Sequence, residues 1–205
     1  MKPIQPGKFI VIEGIDGAGT TTQARLLCEW IVSRGGDCLL TSEPTRGPVG
    51  VLLRQILSGA VPAPDNDVMA LLFAADRIDH LDREIQPALA KGSHVVSDRY
   101  YHSSFTYQSL QGDLEWIREL NSRARAPDVT YILDLPADLA ARRRRQERST
   151  DELYEQDATQ QKLETAYRDM PSWMQNELIV LVDGSREIQA VRQAITTDLE
   201  GRLPE

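Results

Sequence analysis

Short apolar runs and longer amphipathic stretches take turns along this chain, and each kind predicts a different element. Phe9 to Ile12 is an unbroken run rich in β-branched residues, which predicts a strand, and a glycine-rich turn follows it at once. Beyond the turn, Ala24, Leu27, Cys28 and Ile31 recur at helical spacing, with Gly35 and Gly36 placed to stop the helix. Cys38 to Thr41 predicts a second strand, leading into the loop Ser42-Glu43-Pro44-Thr45-Arg46-Gly47-Pro48, and Val49 to Leu57 predicts a short helix. Pro62 and Pro64 confine the next stretch to a loop. A long helix is expected from the capping residues near Asp65 and Asp67 through Leu71, Leu72, Ile78, Leu81, Ile85 and Leu89, closed by Gly92.

Val95 to Ser97 predicts a third strand that ends on Asp98-Arg99-Tyr100. A helical hairpin is expected over Ser103 to Arg125 with a break near Gly112, then a fourth strand at Val129 to Leu133 running into Asp134 and Pro136. Helices are expected at Leu139 to Glu147 and Thr159 to Asp169, on either side of the polar segment Arg148 to Asp157. A last strand, Leu178 to Val182, precedes a last helix, Ile188 to Leu199. Strands alternating with helices predict an α/β fold with a five-stranded parallel sheet covered on both faces, because each parallel crossover needs a helix-length connection. Ligands of such sheets bind beyond the carboxyl ends of the strands, here after Ile12, Thr41, Ser97 and Asp134.

The 205 residues suffice for a single core and one domain, 1–205, with a lid at about 142–156 as its one expected addition. A net charge of -8 argues against nucleic acid and anionic membrane as partners, although local basic patches can still hold phosphates. Cys28 and Cys38 lack zinc-site spacing and read as free thiols. The apolar runs fall far short of the roughly 20 residues that span a bilayer, and no signal-peptide core precedes the first strand, so a cytoplasmic protein is expected.

Gly14, Ile15, Asp16, Gly17, Ala18, Gly19, Thr20 and Thr21 have the spacing of the phosphate loop GxxxxGK[ST] between a strand and a helix, with Thr20 where lysine belongs. Such a loop points consecutive amides into one concavity, and the helix opened by Thr20, Thr21 and Thr22 adds its own unpaired N–H groups. The expected fold is therefore a three-layer sandwich of the P-loop NTPase type that binds ATP, with the Thr21 hydroxyl at the position that coordinates Mg2+. Thr20 can donate a hydrogen bond but brings no charge. Three accounts fit it: arginines elsewhere compensate, catalysis is weak or lost, or the residue has been altered in an active enzyme.

Phe73 and Arg77 lie four apart and share a helix face, which can stack a base and hydrogen-bond its carbonyl edge. Taken alone, the pair also fits a core ring beside an ion-pair partner. Asp98 and Arg99 at a strand end favour the site reading, the first holding Mg2+ through water and the second clamping a phosphate. Glu43 and Arg46 are expected to complete the phosphate and magnesium cluster, and Ser104, Tyr107 and Gln108 to orient a base or sugar. Arg142, Arg143, Arg144, Arg145 and Arg148 form a dense run that fits either a solvated face or a closing lid whose arginines reach the ATP phosphates.

The segments FIVIEGIDGAG, SEPT, LLFAADR, VVSDRYYHSS with TYQ, and PDVTYILDLP together resemble thymidylate kinase over nearly the whole chain. The resemblance implies transfer of phosphate from ATP to thymidine 5'-monophosphate (TMP). It implies that Phe73 stacks on thymine, Arg77 contacts its O4 edge, Asp16 meets the 3'-hydroxyl, and Arg46 with Arg99 holds the acceptor phosphate. Tyr107 would sit against the sugar, Ser104 and Gln108 towards the base, Glu43 and Asp98 in the magnesium network, and Asp183, Gly184 and Ser185 beside the adenine. It also implies a homodimer. Gly17, where one branch carries arginine, makes the chain look like the bacterial branch, which supplies its charge from its lid. Leu153, near where an arginine commonly precedes the lid's aromatic and glutamate, here Tyr154 and Glu155, departs from the pattern, as Thr20 does, and Arg145 or Arg148 would stand in for that arginine. The rival readings are a deoxynucleoside kinase and a nucleotide-binding homologue with weak or lost catalysis.

Overall fold

The computed structural model describes residues 7–147, 154 and 157–202. Its five strands are β1 (Phe9–Gly14), β2 (Cys38–Ser42), β3 (His94–Asp98), β4 (Val129–Asp134) and β5 (Ile179–Asp183), all parallel in the order β2-β3-β1-β4-β5. Helices cover both faces: α1 (Thr20–Ser33), α2 (Pro48–Leu57), α3 (Asn66–His80), α4 (Gln86–Ala90), α5 (Tyr101–Tyr107), α6 (Leu114–Leu120), α7 (Ala137–Glu147), α8 (Asp157–Trp173) and α9 (Ile188–Glu200). The α/β sandwich expected from the alternation of elements is the one observed.

Strand β1 occupies the centre, with Ile10 in register with Val96 of β3 and Val129 of β4. Every residue of β1 is buried, which fits its unbroken apolar run and lack of alternation. The chain reverses direction across the sheet between β1 and its neighbours β3 and β4, and their carboxyl ends carry Gly14, Asp98 and Asp134 to one rim. That rim receives the phosphate loop.

The long helix departs from the expected pattern in two ways. Leu81–Ile85 forms a π-helical turn between α3 and α4. Pro87 lies two residues beyond it; its ring cannot donate to the carbonyl four residues back and would clash with it, so the wider turn relieves the helix. The buried face of α3 is also not the leucine face: Met69, Ala70 and Ala74 share it with Asp76, Arg77 and His80, whereas Leu71 and Ile78 are 49% and 42% exposed. Polar contacts, not hydrophobic periodicity, set which way α3 faces.

Cys28 and Cys38 are both free, the first buried and the second half-buried. Among the described residues no helix is long and apolar enough to cross a membrane.

Candidate active site

The phosphate loop takes its shape from left-handed glycines at Gly17 (φ 87°) and Gly19 (φ 92°). Gly17 is further constrained because a Cβ there would stand 2.6 Å from the Ala140 carbonyl oxygen and 2.9 Å from Arg144 Cγ. Helix α7 therefore packs directly on the loop. Gly19 precedes α1 with no side chain capping the helix, which leaves the first-turn amides to an anion. Thr20 is buried in that first turn, and Thr21 donates from Oγ1 to Asp98 Oδ2 at 2.5 Å. The other oxygen, Asp98 Oδ1, is buried without a hydrogen-bond partner among the described residues.

Arg99 follows directly on β3 with a left-handed backbone (φ 72°), a conformation that costs a side chain about 1–3 kcal/mol. Its amide donates to Ile12 O at 2.9 Å and its carbonyl accepts from Ser97 Oγ at 2.8 Å, which hold it there. The result is a side chain turned back across β1. Arg99 Nη2 meets Asp16 Oδ1 at 2.6 Å, and Nη1 donates to Gly14 O at 2.9 Å and Ser103 Oγ at 3.2 Å. Burial disfavours its charge, but the oxygens of Tyr107, Asp16, Tyr167 and Glu13 outweigh that and keep it cationic.

Asp16 is the hub of this corner. Its Oδ2 accepts from Tyr107 OH at 3.0 Å and from Gln160 Nε2 at 3.1 Å, and its carbonyl accepts from Arg144 Nη1 at 2.6 Å. Beneath it, the buried Glu13 carboxylate accepts from the Tyr100 amide and Tyr167 OH, both at 2.8 Å, and from Ser103 Oγ at 2.8 Å. Glu13 thus anchors the start of α5 to β1 and fixes the angle at which Arg99 and Tyr107 leave the sheet. Burial, with Asp16 and Glu13 nearby, pushes the Tyr107 phenol well up, so it stays a neutral donor.

At the other end of the cleft, Arg77 is a buried cation. Its Nε and Nη2 reach Glu43 Oε2 at 2.9 and 2.8 Å, with the two side chains 1% and 3% exposed. His80 Nδ1 lies 3.0 Å from Glu43 Oε1. Both Glu43 oxygens are therefore engaged, and Glu43 holds Arg77 in place. Phe73 packs beside Leu53, Ile56 and Met69 between α2 and α3 and shows the rest of its ring to the cleft. Asp76 accepts from Thr45 N at 2.8 Å and Thr45 Oγ1 at 2.6 Å, tying the loop after β2 to α3. Arg46, on that loop, is exposed and faces the cleft.

A single cavity of about 1560 Å³ collects these groups: Asp16 to Thr22, Glu43, Arg46, Phe73, Arg77, Asp98, Arg99, Tyr107, Gln108 and Gly184 all line it. Ser104 lies behind the wall, 3.3 Å from Arg77 Nη1, and Ile15 is packed in the core. The arginine run resolves by helix geometry, since about 3.6 residues per turn cannot aim neighbours alike. Arg143 and Arg144 line the cavity, Arg143 donating to Gly184 O at 3.0 Å. Arg142, expected at the nucleotide, is instead exposed and pairs with Asp138 at 2.6 Å; Arg145 is exposed and outside the lining. Arg148 and most of the expected lid lie outside the described residues. Asp183 is exposed and accepts from Ser185 N and Oγ at 3.0 and 2.5 Å, so Gly184, not Asp183, reaches the cleft.

Sequence reasoning placed Glu13 only as a carboxylate beside the phosphate loop and did not single out Ser103, Gln160 and Tyr167 for these roles. Gln160 and Tyr167 come from α8, more than 140 residues from the residues they support. Among the described residues no group of three or more carboxylate, histidine or cysteine side chains is arranged to hold a metal ion.

Residues 12–195 match the family model described as thymidylate kinase. A probable thymidylate kinase of Thermococcus kodakarensis is 48% identical over 136 residues, 62% of this chain and 66% of that protein. Its counterpart in Pyrococcus horikoshii is 46% identical over 67% of this chain and 69% of its own length. A Methanococcus maripaludis relative is 37% identical over 97% of this chain and 98% of its own. These relatives are archaeal, which overturns the assignment to a bacterial branch. Gly17, on which that assignment leaned, is required by its left-handed backbone and by the closeness of α7, so it carries no information about branch.

Proposed function

We propose that this chain, which belongs to the thymidylate kinase family, transfers the terminal phosphoryl group of ATP to the 5'-phosphate of TMP, giving ADP and TDP. One observation carries the reading: the phosphate loop and the Phe73–Arg77 face open into the same cavity, which Arg99 also lines. At about 1560 Å³ the cavity exceeds the roughly 300–1,000 Å³ of a pocket for one small ligand, which supports two nucleotides meeting end to end.

On this reading, Phe73 stacks on the thymine and Arg77 donates to its O4. Tyr107 lies against the deoxyribose, and Asp16 accepts from the 3'-hydroxyl. Arg99 and Arg46 hold the acceptor phosphate, and Arg99 is the group best placed to follow the phosphoryl in flight because it is tied to the loop at Gly14 and Asp16. The donor phosphates lie on the amides of Ala18 to Thr22. The attacking atom is an oxygen that is already ionised, so alignment and charge neutralisation replace a general base.

Mg2+, when bound, would draw charge from the phosphates, and Thr21 and Asp98 would hold it. The unpartnered Asp98 Oδ1 beside the Thr21 hydroxyl fits that role. Arg144, anchored on the Asp16 carbonyl, supplies positive charge next to the loop in which Thr20 lacks it. Pairing of two copies, which the family implies, is supported by Val68, Leu71 and Ile78, apolar residues exposed on α3. Both substrates are metabolites of the cytoplasm, the compartment this reading gives the protein.

The reading is tested by offering Mg-ATP with TMP, dUMP, UMP or thymidine and separating the products. TDP and ADP should form in equal amounts, UMP should react far more slowly, and thymidine should not react. Turnover of thymidine alone would select a nucleoside kinase. Binding of ATP and TMP without turnover would select a homologue silenced at Thr20.

A further inference from the structure

The fork of Arg77 is almost fully occupied before any ligand arrives. Nε donates to Glu43 Oε2 at 2.9 Å, Nη2 lies 2.8 Å from the same oxygen as an ion pair, and Nη1 donates to Ser104 Oγ at 3.3 Å and to Asn121 Oδ1. A guanidinium carries five N–H groups, so Nη2 is the corner with donor capacity to spare, and Arg77 lines the cleft. The Tyr100 ring lies 5.4 Å from Cζ and closes one side of the group. Asn121 itself is buried at the end of α6 and takes no part in the cavity wall. Its orientation follows from its partners: Nδ2 donates to Ile117 O at 2.7 Å, which leaves Oδ1 to face Arg77.

We infer that Asn121 is a specificity-determining positioning residue, which by holding Nη1 aims the Nη2 corner of Arg77 at the base. The inference rests on the acceptor reading given above and deepens it. A fixed donor rewards a base that presents a carbonyl oxygen at position 4. A base with an amino group there sets donor against donor and leaves a buried cationic N–H unpaired, the costly case for recognition. Glu43 fixes the Nε side of the guanidinium, and the Ser104 contact on Nη1 is long at 3.3 Å, so without a closer acceptor the plane keeps room to pivot about the Nε to Nη2 edge. Asn121 removes that pivot.

The test compares TMP with deoxycytidine 5'-monophosphate for wild type, Asn121→Leu and Asn121→Asp, by steady-state kinetics and by calorimetric binding of each acceptor. Asn121→Leu keeps the volume and removes the acceptor atom. Its KM for TMP should rise about tenfold, with kcat within about twofold, an unchanged KM for ATP, and a preference for TMP reduced about tenfold. Asn121→Asp retains an acceptor oxygen and should keep most of the preference. An undiminished preference in folded Asn121→Leu, or a loss confined to kcat, overturns the proposal. Should Asn121→Leu not fold, Asn121→Ala is judged by the same ratio. Wild-type protein that binds TMP without converting it would refute the kinase reading alone, because the binding ratio still decides on Asn121. Wild type that binds both acceptors equally would refute the proposal.

Discussion

Replacing Glu43 by alanine leaves a guanidinium in the interior with its charge uncompensated. Arg77 and Glu43 are 1% and 3% exposed and meet through two contacts of 2.8 and 2.9 Å, and the same carboxylate also faces His80 Nδ1 at 3.0 Å. Breaking a buried pair from one side costs about 3–5 kcal/mol, because the remaining ion stays desolvated. At about 2–4 °C per kcal/mol for a chain of this size, that cost lowers Tm by roughly 6–20 °C. Removing both charges is a different experiment, since nothing is left stranded. The double variant Glu43→Leu/Arg77→Met should be at least about 2 kcal/mol more stable than the sum of the single effects predicts. Urea unfolding of the wild type, Glu43→Ala, Arg77→Met and the double variant measures all four corners. A Glu43→Ala loss below about 1 kcal/mol, or strictly additive effects, would refute the view of Glu43 as the buried partner of Arg77.

Other outcomes follow from the same geometry. Thr20→Lys restores a cation on the donor phosphates and should raise kcat at least about tenfold with little change in KM for TMP; a fall would mean that Arg144 already occupies the lysine's place. Arg99→Met should lower kcat by about 10²–10³-fold while the fold survives, as judged by circular dichroism, and a loss under about fivefold would remove it from the transferring phosphate. Burial raises the Glu177 carboxyl, but bonds from His102 and Tyr101 and the charge of Arg118 outweigh it and leave its pKa below the usual value near 4.5. A depressed carboxyl stabilises the fold above its unfolded pKa and releases that stability as pH falls through the folded one, so Glu177→Gln should flatten the acid limb of the urea midpoint against pH. Leu71→Glu on the exposed apolar face of α3 should shift the sedimentation equilibrium from dimer to monomer, and an unchanged mass would place the interface elsewhere.

The parts of the molecule legible in the sequence are those whose cause is local. Each strand was a short apolar run, and the phosphate loop announced itself by glycine spacing between strand and helix. The grouping of Asp16, Asp98 and Arg99 at one rim followed from placing motifs at strand ends, which a parallel sheet brings together. What stayed hidden depends on contacts between distant segments. Leucine periodicity gave α3 the wrong core face because Asp76 is buried to bind Thr45 and Arg77 to bind Glu43, partners 31 and 34 residues away. The pairing of Glu43 with Arg77 was not legible, because a carboxylate after a strand looks the same whether or not an arginine of a later helix, here α3, reaches it. Four consecutive arginines gave no sign of which two face inward until α7 was seated on Gly17. The π-helical turn at Leu81–Ile85 was not anticipated: the helix was expected to run unbroken past Pro87, whose effect upstream is not visible in side-chain pattern.

The most direct test of two nucleotides meeting phosphate to phosphate in one cavity uses a conjugate of adenosine and thymidine joined through a polyphosphate bridge. Equilibrium binding should find it at least about a hundredfold tighter than ATP or TMP alone, and it should compete with both, because linking two ligands makes the second contact intramolecular. A conjugate that displaces one nucleotide, leaves the other bound and binds no more tightly than its stronger half would contradict the account.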